Sequence, residues 1–388
     1  MTLQVTQECN FRCSYCTYGA KDHQYQREHA SKKMPLETAI KAIDFFAARS
    51  ANQGEATIGF YGGEPLLEFE MIKALIEYAE KKFIGKSLSF SITTNASLLT
   101  LDIARYLSGH DVSLTISMDG APEIHNRSRK FSETGGGTFS AIAKNLNEMK
   151  KELPEWFEKI LINVVIDPRY PCDALHAFFS NDAALKKAQM MVTFVDDFFS
   201  LEKSYSSDVF ALENNRHLFK AYLALLGRHA TAKTSKVARQ FVFAGLDQSE
   251  KRMKMSSGLF DSNAPGGPCI PGEKRLFVSA DGLFYPCERV SETSESMIIG
   301  NLLDGFDVEK AKKVLNIGSL TEEEFKDCWA FRHCTICAKH CDNNGELCPE
   351  LKESQCGGVR DSVLRGFKEY LLLKDFDVPI EAIRDFGA

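Results

Sequence analysis

The chain has no uninterrupted apolar run approaching the roughly 18 residues that a membrane span requires, and no hydrophobic stretch of an export signal at its start. It also lacks a basic surplus. Its 47 Lys and Arg against 53 Asp and Glu leave a net charge of −6, which argues against nucleic acid as the main partner, because phosphate neutralisation needs concentrated positive charge. No membrane and no nucleic acid are therefore expected, the expected location is the cytoplasm, and a small molecule or a cationic peptide suits the charge better. At 388 residues and 44% hydrophobic content the chain is long enough for two or three domains with a large interior.

Cysteine is not among the absences. Of twelve, three lie between positions 9 and 16, one stands alone at 172, and eight lie between 269 and 356. A disulfide framework belongs to small exported domains, so without an export signal the clustering points to metal. Cys9, Cys13 and Cys16 have the spacing CxxxCxxC. Three thiolates on one short loop can hold three irons of a 4Fe-4S cube and leave the fourth open to another ligand. A zinc knot is the alternative, with His23 or His29 as the fourth ligand. Cys172 follows Pro171 outside both groups and reads as a buried packing residue.

Residues 1–195 alternate between strand-like and helical patterns. Candidate strands are Leu3–Thr6, Thr57–Tyr61, Leu88–Thr94, Val112–Ser117, Ile160–Ile166 and Met190–Val195, all rich in β-branched and apolar residues. The intervening segments carry helical periodicity, beginning at Pro35 with Ile40, Ile43 and Phe46 on one face. Six units returning through helices predict an α/β fold, a partial (β/α)6 barrel of the TIM type. Residues 196–268 break the alternation and read as a bridge, with helices near 208–228 and 235–246 and a loop Asn263-Ala264-Pro265-Gly266-Gly267-Pro268. Residues 269–388 form a third, Cys-dense segment with a hairpin signal at Asp281-Gly282 and a last helix over Val359–Leu373. That segment has little apolar material for its own core, and metal clusters would supply cross-links.

Four consecutive strand ends carry polar or metal-binding residues. The Cys loop follows the first, Gly62-Gly63-Glu64-Pro65 the second, Thr94-Asn95 ends the third, and Ser117-Met118-Asp119-Gly120 ends the fourth. Each alone reads as a turn. Together they mark the carboxyl-end rim where barrel-type folds carry their chemistry. The paired glycines permit close backbone approach to a ligand, and Glu64 offers a carboxylate to an ammonium group.

CxxxCxxC after the first strand, GGEP after the second and SxDG after the fourth, in that order, resemble the radical S-adenosylmethionine (SAM) enzymes. The resemblance implies that Cys9, Cys13 and Cys16 bind a 4Fe-4S cluster whose open iron is chelated by SAM. It further implies that Gly62, Gly63 and Glu64 contact the methionyl amine and that Asn95, Ser117 and Asp119 lie in the cofactor site. Tyr15 is expected near adenine, and Arg129 is expected on the SAM carboxylate or, like Arg127, as a surface charge. Cys269-x12-Gly282-x4-Cys287, followed by Cys328, Cys334, Cys337, Cys341, Cys348 and Cys356, resembles the SPASM domain with two auxiliary 4Fe-4S clusters. The expected division gives Cys269, Cys287, Cys348 and Cys328 to the first and Cys334, Cys337, Cys341 and Cys356 to the second.

The resemblance implies a peptide maturase that abstracts hydrogen through a 5′-deoxyadenosyl radical. Its expected partners are a Cys-rich precursor peptide and an electron donor such as flavodoxin or ferredoxin. The Tyr-Pro-Cys-Glu-Arg-Val segment at 285–290 looks most like maturases that form Cys thioether crosslinks. A sulfatase-type maturase making formylglycine is the second reading, and a non-catalytic iron-sulfur scaffold the third. Glu288 stands where sulfatase-maturing relatives carry a basic aspartate, so it is the candidate catalytic base, with a salt bridge to Arg289 or Lys274 as the alternative role. Such maturases often carry an N-terminal winged-helix domain for the leader peptide, which is expected here on a separate protein or a longer form of the chain.

Overall fold

Short runs of alternating apolar residues, separated by helices that bury one face, place six strands side by side in chain order. The computed structural model describes residues 1–17, 29–182, 185, 188–201, 203–253, 264–265, 267–378 and 386. His23, Asn263 and Gly266 lie outside the described residues. The strands and helices of the first half are β1 (Thr2–Thr6), α1 (Leu36–Arg49), β2 (Glu55–Gly62), α2 (Phe69–Lys82), β3 (Ser87–Thr94), α3 (Leu101–Gly109), β4 (Ser113–Ser117), α4 (Pro122–Ser128), α5 (Phe139–Glu152), α6 (Pro154–Phe157), β5 (Leu161–Ile166), α7 (Asp173–Asn181) and β6 (Gln189–Phe194). All five neighbouring pairs from β1 to β6 are parallel. The (β/α)6 expectation therefore holds, with strand limits within two residues of those read from the sequence.

Helix α1 begins directly after Pro35, whose fixed φ of −62° suits a cap position, and buries Ala39, Ala42 and Ile43. Ile40 and Phe46 are only partly covered, so the buried stripe is one residue away from the face expected at its start. Two longer helices, α8 (Asp208–Leu225) and α9 (Lys236–Met253), form the bridge. Among the described residues, no helix is long and apolar enough to cross a membrane.

The third segment departs from expectation most. Its short strands β7 (Phe277–Val278), β8 (Leu283–Tyr285), β9 (Gly300–Asn301) and β10 (Gly305–Phe306) continue the barrel sheet, in the order β10-β9-β8-β7-β1-β2-β3-β4-β5-β6. β7 pairs parallel with β1, and β7 and β8 form the hairpin around Asp281-Gly282, with Gly282 at φ +79°. Gln4, fully buried on β1, ties the halves together: its amide nitrogen donates to Glu292 (2.7 and 2.9 Å) and its oxygen accepts from Ala280 N–H (3.0 Å). The cysteine-rich segment does not stand on a core of its own. Phe277, Tyr285, Ile299, Ile336 and Cys341 belong to the same hydrophobic core as Leu3, Phe60 and Ile116.

Where β1 and β2 end, the backbones come close enough to exclude a side chain. A Cβ on Gly62, at φ +144°, would lie 2.0 Å from the Thr6 carbonyl oxygen, and one on Gly63 would lie 2.2 Å from that of Glu8. Gly63 N–H donates to Thr6 O and Glu64 N–H to Glu8 O, each at 2.9 Å. Gly62→Ala is expected to lower the melting temperature and to reduce iron bound after anaerobic reconstitution, since it displaces the segment leading into Cys9. Unchanged melting and iron content would show that this contact is dispensable.

Candidate active site

The loop from Cys9 to Cys16 is fastened along its length to neighbouring strand ends. Arg12 N–H donates to Lys130 O (2.8 Å), Ser14 N–H to Ser128 O (2.9 Å), and Ser132 N–H to Asn10 O (2.9 Å). Phe11 is buried edge-on against Phe131, with centroids 5.2 Å apart. Asn95 at the end of β3 donates from its amide to Asn10 Oδ1 (2.8 Å), and Asn10 donates in turn to Ser97 Oγ (2.9 Å). The loop is thereby held by β2, β3 and the segment after β4.

Glu64 occupies a different place from the one its residue type suggested. It is 1% exposed, and its carboxylate accepts from Thr94 Oγ1 (2.6 Å), Asn95 N–H (2.7 Å) and Leu66 N–H (3.1 Å). It braces the ends of β2 and β3. Within Gly62–Pro65 only Gly63 remains partly exposed, so the motif presents backbone at the rim. Burial lifts the Glu64 pKa to about 7 against the opposing pull of its three hydrogen bonds.

Arg129 is neither a surface charge nor a free fork. It is 6% exposed and grips Asp119 with two bonds, Nε to Oδ2 at 2.8 Å and Nη2 to Oδ1 at 3.1 Å. Tyr15 donates its hydroxyl to the same carboxylate, and the Arg129 guanidinium lies 5.4 Å from the Tyr15 ring centre. Asp119 also accepts from Val165 N–H (3.1 Å). Burial opposes its ionisation, but Arg129 and the remaining donors hold its pKa below the ordinary carboxylate value. Arg127 is exposed, with its guanidinium 4.0 Å from the Tyr170 ring centre.

Two residues escaped the sequence reading. His125 is fully buried behind the rim, accepting from Asp119 N–H at Nδ1 (3.3 Å) and meeting Thr138 at Nε2 (3.0 Å), and burial lowers its pKa to about 4. Asn163 breaks the apolar pattern of β5, stands in register with Ser117, and has a buried Oδ1 without a hydrogen-bond partner among the described residues. A lone amide in an otherwise apolar strand was the available signal.

The thiols share neighbourhoods. Among the described residues no three His, Cys, Asp or Glu side chains are gathered at metal-bonding distance, but Cys9, Cys13 and Cys16 are partly buried and feel one another's charge. Burial pushes the Cys13 thiol up to about 12, with Arg129 the main opposing influence. In the C-terminal segment Cys337 neighbours both Cys269 and Cys287. Cys328, Cys334 and Cys356 line one cavity together with Lys352 and Arg360. Cys341 is fully buried near Cys334, Cys337 and Cys348. Cys337 thus lies between Cys269 and Cys287 on one side and Cys341 on the other, while Cys328 lies near Cys356. A Cβ on Gly267 would lie 2.0 Å from the Ile336 carbonyl oxygen, so the backbones just before Cys269 and Cys337 pack closely. Cys172 is a buried core residue, as expected. Glu288 pairs with Arg275 (2.8 Å) and more distantly with Arg289 (3.8 Å), so Arg275, rather than Lys274, is its principal partner.

Residues 3–171 match the Radical SAM superfamily, and the chain carries a radical SAM domain there. It is similar to the radical SAM cyclopropyl synthase TigE of Paramaledivibacter caminithermalis, 30% identical over 38% of this chain and 32% of that protein. The serine-type anaerobic sulfatase-maturating enzyme of Bacteroides thetaiotaomicron is 28% identical over 46% of this chain and 42% of its own. The chain thus spans less than half the length of these two relatives. The cysteine-type anaerobic sulfatase-maturating enzyme of Clostridium perfringens is 25% identical over 87% of this chain and 88% of its own. The fold is that of native anSMEcpe with bound AdoMet and Cp18Cys peptide, with a TM-score of 0.64 at 21% identity, covering 94% and 98% of the two chains.

Asp119→Asn is expected to destabilise the fold by about 3–5 kcal/mol, because it leaves the buried Arg129 without its counter-charge. The two rim carboxylates should respond to pH in opposite directions. Asp119, with its pKa held down, contributes stability above 3.8 that is lost as pH falls. Glu64, with its pKa raised, favours the folded state at acid pH and loses that contribution as pH rises from 4.5 through about 7, so Glu64→Gln should remove this second slope in denaturant titrations.

Proposed function

We propose that this chain is a radical SAM maturase that oxidises a cysteine or serine side chain of a peptide to formylglycine. The observation that carries this reading is the alignment with the Clostridium perfringens enzyme, which extends through the barrel and the cysteine-rich segment alike. The residues fit the cofactors: three partly buried thiols on one fastened loop, a backbone-presenting Gly63, and an orphaned Asn163 acceptor beside Ser117 suited to a hydroxyl or ammonium donor. When bound, a 4Fe-4S cluster with SAM supplies hydrogen-atom abstraction from the substrate.

Cys9, Cys13 and Cys16 hold that cluster, and the backbone at Gly62–Glu64 meets the amine of SAM. Asn95, Ser117 and Asn163 line its polar side, with Tyr15 beside adenine. Asp119, Arg129 and His125 act through position, fixing Tyr15 and the loop. The C-terminal cysteines hold two auxiliary clusters, one drawing on Cys269, Cys287 and Cys337 and the other on Cys328, Cys334 and Cys356, with Cys341 and Cys348 completing the sets. An external donor such as flavodoxin or ferredoxin supplies the electron. Glu288, oriented by Arg275, takes the proton that must leave the substrate thiol or hydroxyl, and the one electron left after hydrogen-atom and proton loss would pass to an auxiliary cluster.

Anaerobically reconstituted protein, reductant and SAM should convert a Cys- or Ser-containing sulfatase-type peptide to an aldehyde trapped by a hydrazine. Glu288→Gln should slow this by about 100-fold while 5′-deoxyadenosine still forms. A peptide product lighter by two hydrogens with a blocked thiol would instead establish thioether formation. Failure of the reduced protein to cleave SAM would leave the scaffold reading.

A further inference from the structure

At the β6 edge of the sheet, α8, α9 and the final helix (Cys356–Asp375) line a cavity of about 400 Å³, within the range of ligand pockets. Phe194, Leu218 and Phe241 give it apolar walls, while Asn214, Arg365 and Glu369 give it polar ones. Tyr222 and Glu369 hydrogen-bond across it, joining α8 to the final helix. Asn214 Oδ1 is buried and has no hydrogen-bond partner among the described residues. A buried acceptor in that state is a standing cost that a ligand N–H would remove.

The chemistry of the lining narrows the ligand. A hydrocarbon would leave Asn214 unsatisfied, and a phosphate would face the Glu369 carboxylate. A peptide offers what the walls require: N–H groups for Asn214 and Glu369, a carbonyl for the Arg365 fork, and an apolar side chain for the aromatic wall. The position is suitable too. Phe194 ends β6 at the carboxyl-end rim, and His333, also on the lining, directly precedes Cys334. A chain seated here can run toward the rim.

We propose that this cavity is a second peptide site, holding an extended segment of the substrate that presents one aliphatic or aromatic side chain, at a distance from the residue that reacts. The proposal rests on the peptide-modifying reading above. It supplies affinity and selection through a part of the substrate that undergoes no chemistry.

Gly245 makes the test clean, because it lines the cavity and a Cβ there would meet nothing within 4 Å. Gly245→Phe should fill the space without disturbing the helix. The full-length protein, anaerobically reconstituted, is panned against a phage-displayed random dodecapeptide library, and the enriched peptides are measured by fluorescence anisotropy. Wild type should select peptides sharing an apolar position, and Gly245→Phe should weaken them by about tenfold or more, with Asn214→Leu weakening them as well. Both variants should retain peptide-independent cleavage of SAM. Equal binding to wild type and Gly245→Phe, or no enrichment at all, would overturn the proposal. A wild type that binds its selected peptides through this cavity yet modifies no peptide would overturn the maturase reading and leave the site standing.

Discussion

The contact between Gly62-Gly63 and the backbone at Thr6–Glu8 is the constraint from which the rest of the rim follows. The Cys loop has neither strand nor helix of its own, so its shape comes from what it is tied to. With two backbones at a separation that admits no Cβ, the loop leaves β1 in a fixed direction, and the bonds to Asn95, Ser128 and Lys130 then fall into place. Three thiols a few residues apart stay near one another because the chain between them is tied down.

Around this fastening the buried charges are arranged in two contrasting ways. Asp119 and Arg129 neutralise each other in a two-pronged pair, which makes burial of both tolerable. Among the described residues Glu64 has no cationic partner and relies on three neutral donors, so burial dominates its ionisation. The first arrangement locks the segment after β4 to Tyr15. The second leaves a carboxyl group whose charge state is finely balanced beside Cys9.

Much of this was legible before any coordinates. Strand alternation and the recurrence of polar residues at strand ends placed the barrel and its rim, because periodicity and turn chemistry are local properties. Orientation was not legible. Glu64 suggests a ligand contact by its residue type, and Arg129 a ligand contact by resemblance or else a surface charge, whereas packing turns each toward a protein partner. The two-residue strands Gly300–Asn301 and Gly305–Phe306 are too short to carry alternation and form by pairing with β8 and with each other. The approach of Cys269 to Cys337 goes with the close contact of Gly267 and Ile336, and spacing along the chain carries no record of it.

The continuous sheet through β7 and β1 has a mechanical consequence. Parting the cysteine-rich segment from the barrel would break strand pairing and expose the paired carbonyl and amide groups of Gln4, so the two halves cannot open like a hinged clamp at modest cost. The surface that the two halves share is therefore held to one shape.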